Sequence, residues 1–268
     1  MSVRQPAWLL WATVPAILLA AAFGMWLRMD VHGPTTLDQD WLNLVGLTPD
    51  SVPYWIAVVL AEVGGGAGAA ICTGVLAAAF VLLRRFRAAG FLVTAMLVGI
   101  CLSELLKALV IRARPSHQLF DSLGYSYPSG HSMGAAALAM GLAFIASRSH
   151  MMRLEQATMT GPMDPSSSAS PAAPLAAAPP TIPADGTHAE PLPAAITPPL
   201  EPPRLRFHWS MIVALVWILT MMWSRTALQV HWLSDTIAGA LIGISAAVLA
   251  DELWTAVTMK TRSPHLER

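Results

Sequence analysis

The chain has 268 residues, 55% of them hydrophobic and 12% charged, with a mean hydropathy of +0.55 and a formal net charge of zero. A soluble domain carries about 25% charged residues, so this composition excludes one and points to a chain built for a lipid solvent. Without net positive charge or a long basic run, it also excludes a nucleic-acid partner.

A helix needs about 20 apolar residues to cross a bilayer. The first such stretch is 7–27. Arg4 and the run Ala20-Ala21-Ala22 give it some features of a signal peptide, but it is long and lacks a clear cleavage site, so it is read as a retained helix. The segment from Met29 to Pro53 carries Asp30, Asp38, Asp40 and Asp50 and is expected to be a small lid or an interfacial helix. A second span is expected over 54–83. Its Gly64-Gly65-Gly66 and Gly68 suit close helix packing or a kink better than a phosphate-binding loop, because no strand precedes them. Glu62 in the same stretch lines a polar groove or pairs with a cation.

Further spans are expected over 88–111, 131–147, 209–223 and 232–253, making an all-α protein of six transmembrane helices. Tryptophans at both ends of the fifth suit interfacial anchoring. Cys72 and Cys101 lie inside apolar stretches and read as small buried hydrophobes. Residues 150–206 differ from the rest, since 13 of the 21 prolines fall between Pro162 and Pro203 among alanines and serines. Such a segment buries too little apolar surface to offset its ordering entropy, and is expected to be a disordered cytoplasmic loop. One catalytic domain then comprises helices one to four (1–149) and five to six (207–268).

Lysines and arginines set the orientation. With the N-terminus in the cytoplasm, 11 of the 16 fall in cytoplasmic segments. Both termini are therefore expected in the cytoplasm, with the protein in the cytoplasmic membrane. The ends of helices three and five and the starts of helices four and six then lie outside. Every conspicuous polar cluster sits at one of those ends: Lys107-x6-Arg114-Pro115, Pro128-Ser129-Gly130-His131, and Ser224-Arg225-x5-His231-x3-Asp235. Ionisable residues beside spanning stretches are costly and mark function by default.

His231 and Asp235 are four apart, so on a helix they share a face, and the carboxylate can accept the Nδ1 proton and leave Nε2 free to attack. A structural His–Asp pair at a helix start is the alternative. Gly130 permits close backbone approach, Ser129 offers a hydroxyl, and His131 opens a helix whose N-terminus favours an anion; an ordinary helix cap is the alternative. Lys107 and Arg114, about two helical turns apart with Pro115 as the stop, and Arg225 supply cations for phosphate oxygens. Taken singly, each cation reads equally as a snorkelling side chain. Arg112 lies outside this spacing and is left as one, while Glu104, one turn before Lys107, can hold it in place.

In order and spacing the three clusters resemble the signature of the type 2 phosphatidic acid phosphatase (PAP2) superfamily, K-x6-R-P, P-S-G-H and S-R-x5-H-x3-D, with no position departing from it. The resemblance spans Lys107 to Asp235. It implies a six-helix bundle of the PAP2/haloperoxidase type and a metal-independent membrane lipid phosphatase working through a phosphohistidine. His231 would be the nucleophile, His131 the proton donor and Asp235 the partner that orients His231. Lys107, Arg114, Ser129, Gly130 and Arg225 would bind the phosphate. No cofactor or metal is implied. The substrates implied are phosphatidic acid, phosphatidylglycerol phosphate, and isoprenoid phosphates or pyrophosphates such as undecaprenyl pyrophosphate. A vanadate-dependent haloperoxidase-like enzyme and a non-catalytic lipid-binding or transport protein share the scaffold and are the alternatives.

Overall fold

The computed structural model describes residues 5–31, 33–159 and 207–262, and every regular element among them is helical. Helix α1 (Ala7–Trp26) starts after Pro6 and runs into a π-helical turn at Leu27–Val31. Helix α2 (Thr36–Val45) is set by a capping box: Thr35 accepts from the Asp38 amide while the Asp38 carboxylate accepts from the Thr35 amide. The expected lid or interfacial segment is thus a helix, and it packs on α7 and α8.

The expected second span is two helices. Helix α3 (Val52–Gly64), capped by Ser51, and α4 (Ala67–Leu82) meet at a 48° bend. Gly66 turns the chain with φ +56°, a conformation in which only glycine is unstrained. Helix α5 (Phe86–Val110) follows. It stops on Ile111, held left-handed at φ +54° with its amide on the Lys107 carbonyl, and not on Pro115. Arg114 is therefore in the loop beyond the helix, and the expected shared helical face with Lys107 does not exist.

Helix α6 (Gly130–Met159) continues twelve residues past the expected end at 147, so 150–159 are helix; the rest of the expected disordered loop, 160–206, lies outside the described residues. Helix α7 (Trp209–Ala227) takes in Ser224 and Arg225, which were expected just beyond it, and α8 (Leu233–Arg262) completes the chain. Among the described residues five helices are long and apolar enough to cross a membrane, and the bent pair α3–α4, taken together as one span, makes up to six.

Helices α5 to α8 form the centre, with α6 and α8 packed most extensively on each other. Gly239 and Gly243, one turn apart on α8, let the backbones touch: a Cβ on Gly239 would run into the Ser129 carbonyl oxygen, and one on Gly243 into that of Met133. Small-xxx-small spacing of this kind is how helices approach closely in lipid, where no hydrophobic force draws them together. A hydrogen bond from the Ser129 amide to the Asp235 carbonyl (2.9 Å) ties the start of α6 to the first turn of α8. Around this contact Leu106, Val110, Tyr127, Met133 and Ile242 make one buried cluster. Phe91, Leu92, Phe144 and Val248 anchor another. Cys72 is half-buried on α4 and Cys101 exposed on α5, both free, so only the first approaches the buried position expected of it.

Replacing Gly239 with Leu should force α6 and α8 apart and cost about 1–3 kcal/mol, the usual scale of overpacking. The expected outcome is a lower thermal midpoint for the detergent-purified protein, with turnover lost in parallel.

Candidate active site

All three polar clusters arrive at one end of the bundle. The C-terminal turn of α5 brings Lys107, the loop after it brings Arg114, the N-terminus of α6 brings Gly130 and His131, and the α7–α8 loop brings His231. These five line a cavity of about 500 Å³ together with Gly66, Glu104, Asp121 and Ser122. A second part of its wall is apolar: Ala67 and Ala70 from α4, Met96 and Ile100 from α5, and Met133 from α6.

His231 is not on a helix. It lies in the turn before α8, and Asp235 is the third residue of that helix, its carboxylate accepting from the Trp232 amide at 2.9 Å as an N-terminal cap. The His231–Asp235 approach survives the change, with Nδ1 3.5 Å from Oδ2, longer than a formed hydrogen bond. Such contacts are often long without substrate and tighten in the reacting complex. Ser126 stands between the two: its hydroxyl donates to Asp235 and its oxygen is 3.5 Å from Nδ1. Nothing in the signature pointed to Ser126.

The other imidazole nitrogen fixes the tautomer. Arg114 Nη1 is 3.1 Å from His231 Nε2. A guanidinium only donates, so Nε2 is the acceptor and Nδ1 carries the proton. Arg114 is itself clamped by carbonyls, Nε to Gly124 (3.0 Å), Nη1 to Val230 (2.8 Å) and Nη2 to Leu123 (3.0 Å). Burial and the nearby guanidiniums of Arg114 and Arg225 outweigh the Asp235 carboxylate and lower the His231 pKa to about 4. The ring is neutral at pH 7, with its lone pair facing the cavity.

Arg112, read from sequence as a snorkelling cation, is buried at 6% exposure between two carboxylates. It donates to Asp235 Oδ1 at 2.6 Å and to Asp38 Oδ2 at 2.7 Å. Asp38 also accepts from the Ser234 amide (2.9 Å) and hydroxyl (3.0 Å). Burial raises the Asp38 pKa, but these hydrogen bonds and the Arg112 charge more than offset it, so the group is held below its ordinary value and ionised. The correction has a plain cause: the partner of Arg112 is 74 residues away on α2.

The other expected residues divide. Lys107 Nζ pairs with Glu104 at 2.7 Å, as expected, and lies 3.4 Å from where a Gly130 Cβ would be. His131 packs on the α3–α4 break: a Cβ on Gly66 would lie 3.0 Å from its Cε1 and 3.2 Å from its Nε2. No described residue hydrogen-bonds the His131 imidazole. Ser129 caps α6, its hydroxyl oxygen accepting from the Ser132 amide (3.4 Å), and it is fully buried off the cavity wall. Its expected role as a hydroxyl donor to phosphate is therefore not what this geometry displays.

Arg225 is fully buried behind Phe120 and Ser122, with Nη2 on the Ser122 hydroxyl (3.0 Å) and the guanidinium carbon 5.6 Å from the Phe120 ring centroid. Its Nε and Nη1 are buried without a hydrogen-bond partner among the described residues. Donors left so are costly and call for an anion or water. Glu62, exposed on α3, is within electrostatic reach of Arg225, which fits the cation-pairing alternative.

The arrangement presents an oriented neutral imidazole, cations on one side of it, a second imidazole opposite, and a carboxylate buried behind. It is built to attack an electrophilic centre that carries negative charge.

A family model described as the PAP2 superfamily matches residues 88–259. Among solved structures, the chain resembles a transmembrane PAP2-type phosphatidylglycerolphosphate phosphatase from Bacillus subtilis, with a TM-score of 0.61 and 15% identity over 96% of this chain and 98% of that one. At that identity the likeness speaks for the fold. No protein of curated function matches.

Two outcomes are expected. Asp235→Asn should lower kcat by about 10⁴, the scale seen when the carboxylate behind a triad histidine is lost, with the protein still folded by circular dichroism. The acid limb of kcat/KM should lie near pH 4 and not near 6.5, because the free-enzyme imidazole becomes protonated, and loses its lone pair, only as pH falls through about 4. A pH–rate profile on a soluble phosphate ester whose own ionisation is known measures this directly.

Proposed function

The chain belongs to the PAP2 superfamily, and from that premise we propose that it is an integral membrane phosphatase that hydrolyses a lipid phosphate or an isoprenoid phosphate or pyrophosphate through a phosphohistidine. The observation that carries the lipid assignment is the two-part cavity. A cationic end with two imidazoles adjoins an apolar wall made by membrane-spanning helices. A phosphorylated headgroup fits the first and its hydrocarbon chain the second.

The steps follow from the geometry. The phosphoryl group enters between Arg114 and His231, so the guanidinium N–H that rests on Nε2 passes to a phosphate oxygen. Nε2 attacks phosphorus, forming a P–N bond as the P–O bond to the lipid breaks, and His131, which takes up a proton when the anionic substrate offsets the cations around it, gives that proton to the departing oxygen. Asp235 stabilises the positive charge then carried by His231. A water molecule next attacks phosphorus, His131 takes its proton, the P–N bond breaks, and phosphate leaves. Lys107, Arg114 and the unpartnered donors of Arg225 offset the charge on the transferring group. Electrostatic stabilisation of this kind often lowers the barrier more than any other single effect. No step requires a metal ion.

The outer face is the proposed side. The opposite end of the bundle carries Arg84, Arg85, Arg87, Arg148 and Arg153, and such an excess belongs to the cytoplasm.

The test is rapid quenching of the detergent-purified protein with a lipid phosphate labelled at phosphorus. Wild type should show an acid-labile, base-stable label on His231 that builds and decays within one turnover, and His231→Ala should show none while keeping its fold. Phosphate release from His231→Ala at near the wild-type rate would sink the assignment.

A further inference from the structure

A second polar centre lies at the other end of the same helices. From Lys107 back to Arg87 on α5, from His131 on to Arg148 on α6, and from Asp235 on to Asp251 on α8, the separation is about 24–30 Å at 1.5 Å per residue. That is close to the roughly 30 Å of a bilayer's hydrocarbon core. The two centres therefore face opposite leaflets.

Asp251, 1% exposed, is the hub of this second centre. It accepts from Gln5 Nε2 (2.6 Å) and from Arg148, and Arg87 Nη2 lies 3.6 Å from its other oxygen. Thr255 accepts from Arg87 (2.8 Å), and Arg85 donates to Ser149 on α6 (2.7 Å). These guanidiniums do not reach away from the protein as snorkelling groups do. Arg84, Arg85, Arg87 and Arg148 surround a cavity of about 330 Å³ between the α4–α5 turn, α6 and α8. Asp251 is the only carboxylate among its described lining residues; it pairs with Arg87 and Arg148, while neither Arg84 nor Arg85 forms an ion pair with a described residue. Phe86, Phe91, Ile145 and Met152 supply apolar wall to the same cavity.

We propose that this cavity is a second, non-catalytic site that takes the phosphate of an anionic phospholipid headgroup in the leaflet opposite the active site. The charge of Arg84 and Arg85, without a carboxylate partner among the described residues, favours an anion. Planar guanidinium forks suit phosphate oxygens. Position at the membrane boundary and the apolar wall select a lipid over a free ion, since an acyl chain can run down the wall while the headgroup phosphate sits among the arginines. No imidazole is among the described lining residues, and the one hydroxyl there, Ser149, donates to the Ile145 carbonyl and has no base beside it, so the lipid is held and not hydrolysed. Asp251 fixes Arg87 and Arg148 from behind, leaving the exposed Arg84 and Arg85 to close over the headgroup.

The test reads binding and not turnover, so it stands apart from the proposed chemistry. Native mass spectrometry of the full chain in detergent, titrated with phosphatidylglycerol or phosphatidylcholine, should show selective retention of phosphatidylglycerol. The double variant Arg84→Gln/Arg85→Gln should bind it about thirtyfold more weakly, in line with two basic charges lost at an anionic surface, while turnover of a soluble aryl phosphate stays at the wild-type level. Three results would each overturn the proposal: equal retention of phosphatidylcholine, unchanged phosphatidylglycerol affinity in the double variant, or displacement of bound phosphatidylglycerol by millimolar inorganic phosphate. The last would identify a free-anion site. Should the double variant fail to fold, the single variant Arg84→Gln carries the same reading with a smaller loss.

Discussion

One guanidinium holds the site in register. Arg112 lies between Asp38 and Asp235, both at 1% exposure or less, and neutralises a pair of carboxylates that no other described cation approaches as closely. Removing one partner from such a buried set strands charge at a cost of about 3–5 kcal/mol. Because Arg112 is there, the Asp235 carboxylate is held in the first turn of α8 and can face His231. Because Asp38 is there, helix α2 is locked onto α8 through Ser234. The proposed nucleophile is thus positioned by a chain of contacts running from the loop after α1, through α2 and Arg112, to Asp235. In the proposed mechanism Arg112 and Asp38 position Asp235, and neither is among the residues lining the cavity.

Much of this was legible in the sequence, and the reasons differ by residue. Hydropathy located six spans because backbone groups in lipid must be satisfied within helices. Lys107, Arg114, His131, His231 and Asp235 announced themselves because ionisable groups near hydrocarbon need a purpose. Local rules failed where the partner was remote. Arg112 looked idle because Asp38 and Asp235 are 74 and 123 residues distant. Ser126 carries no signal of its own, being an ordinary serine before an X-Pro turn. Pro115 looked like the stop of α5, yet the helix ends four residues sooner on the left-handed Ile111. The fourth span was expected to end at 147, yet α6 runs on to Met159, and Arg148 on it donates to the buried Asp251, 103 residues away.

Glycine was the most under-read signal. The run at 64–66 suggested close packing or a kink, and both occur, but its contact with the His131 ring could not be inferred from spacing. The pair Gly239 and Gly243 was plainly visible as a small-xxx-small motif, and it accounts for how α6 and α8 come near enough to join the second and third clusters. In a protein whose helices feel no hydrophobic attraction for one another, missing side chains decide who may be neighbours.

The bend between α3 and α4 has a further implication. The last carbonyls of α3 lose their next-turn partners at that point, and in hydrocarbon such groups are tolerated only beside protein or solvent. Gly66 opens directly onto the cavity that holds both imidazoles. A discontinuous span there puts backbone polar groups beside the cavity wall, where an unbroken helix would present side chains alone. The break is thus the stretch of wall whose chemistry best suits water, the molecule with which the proposed mechanism finishes.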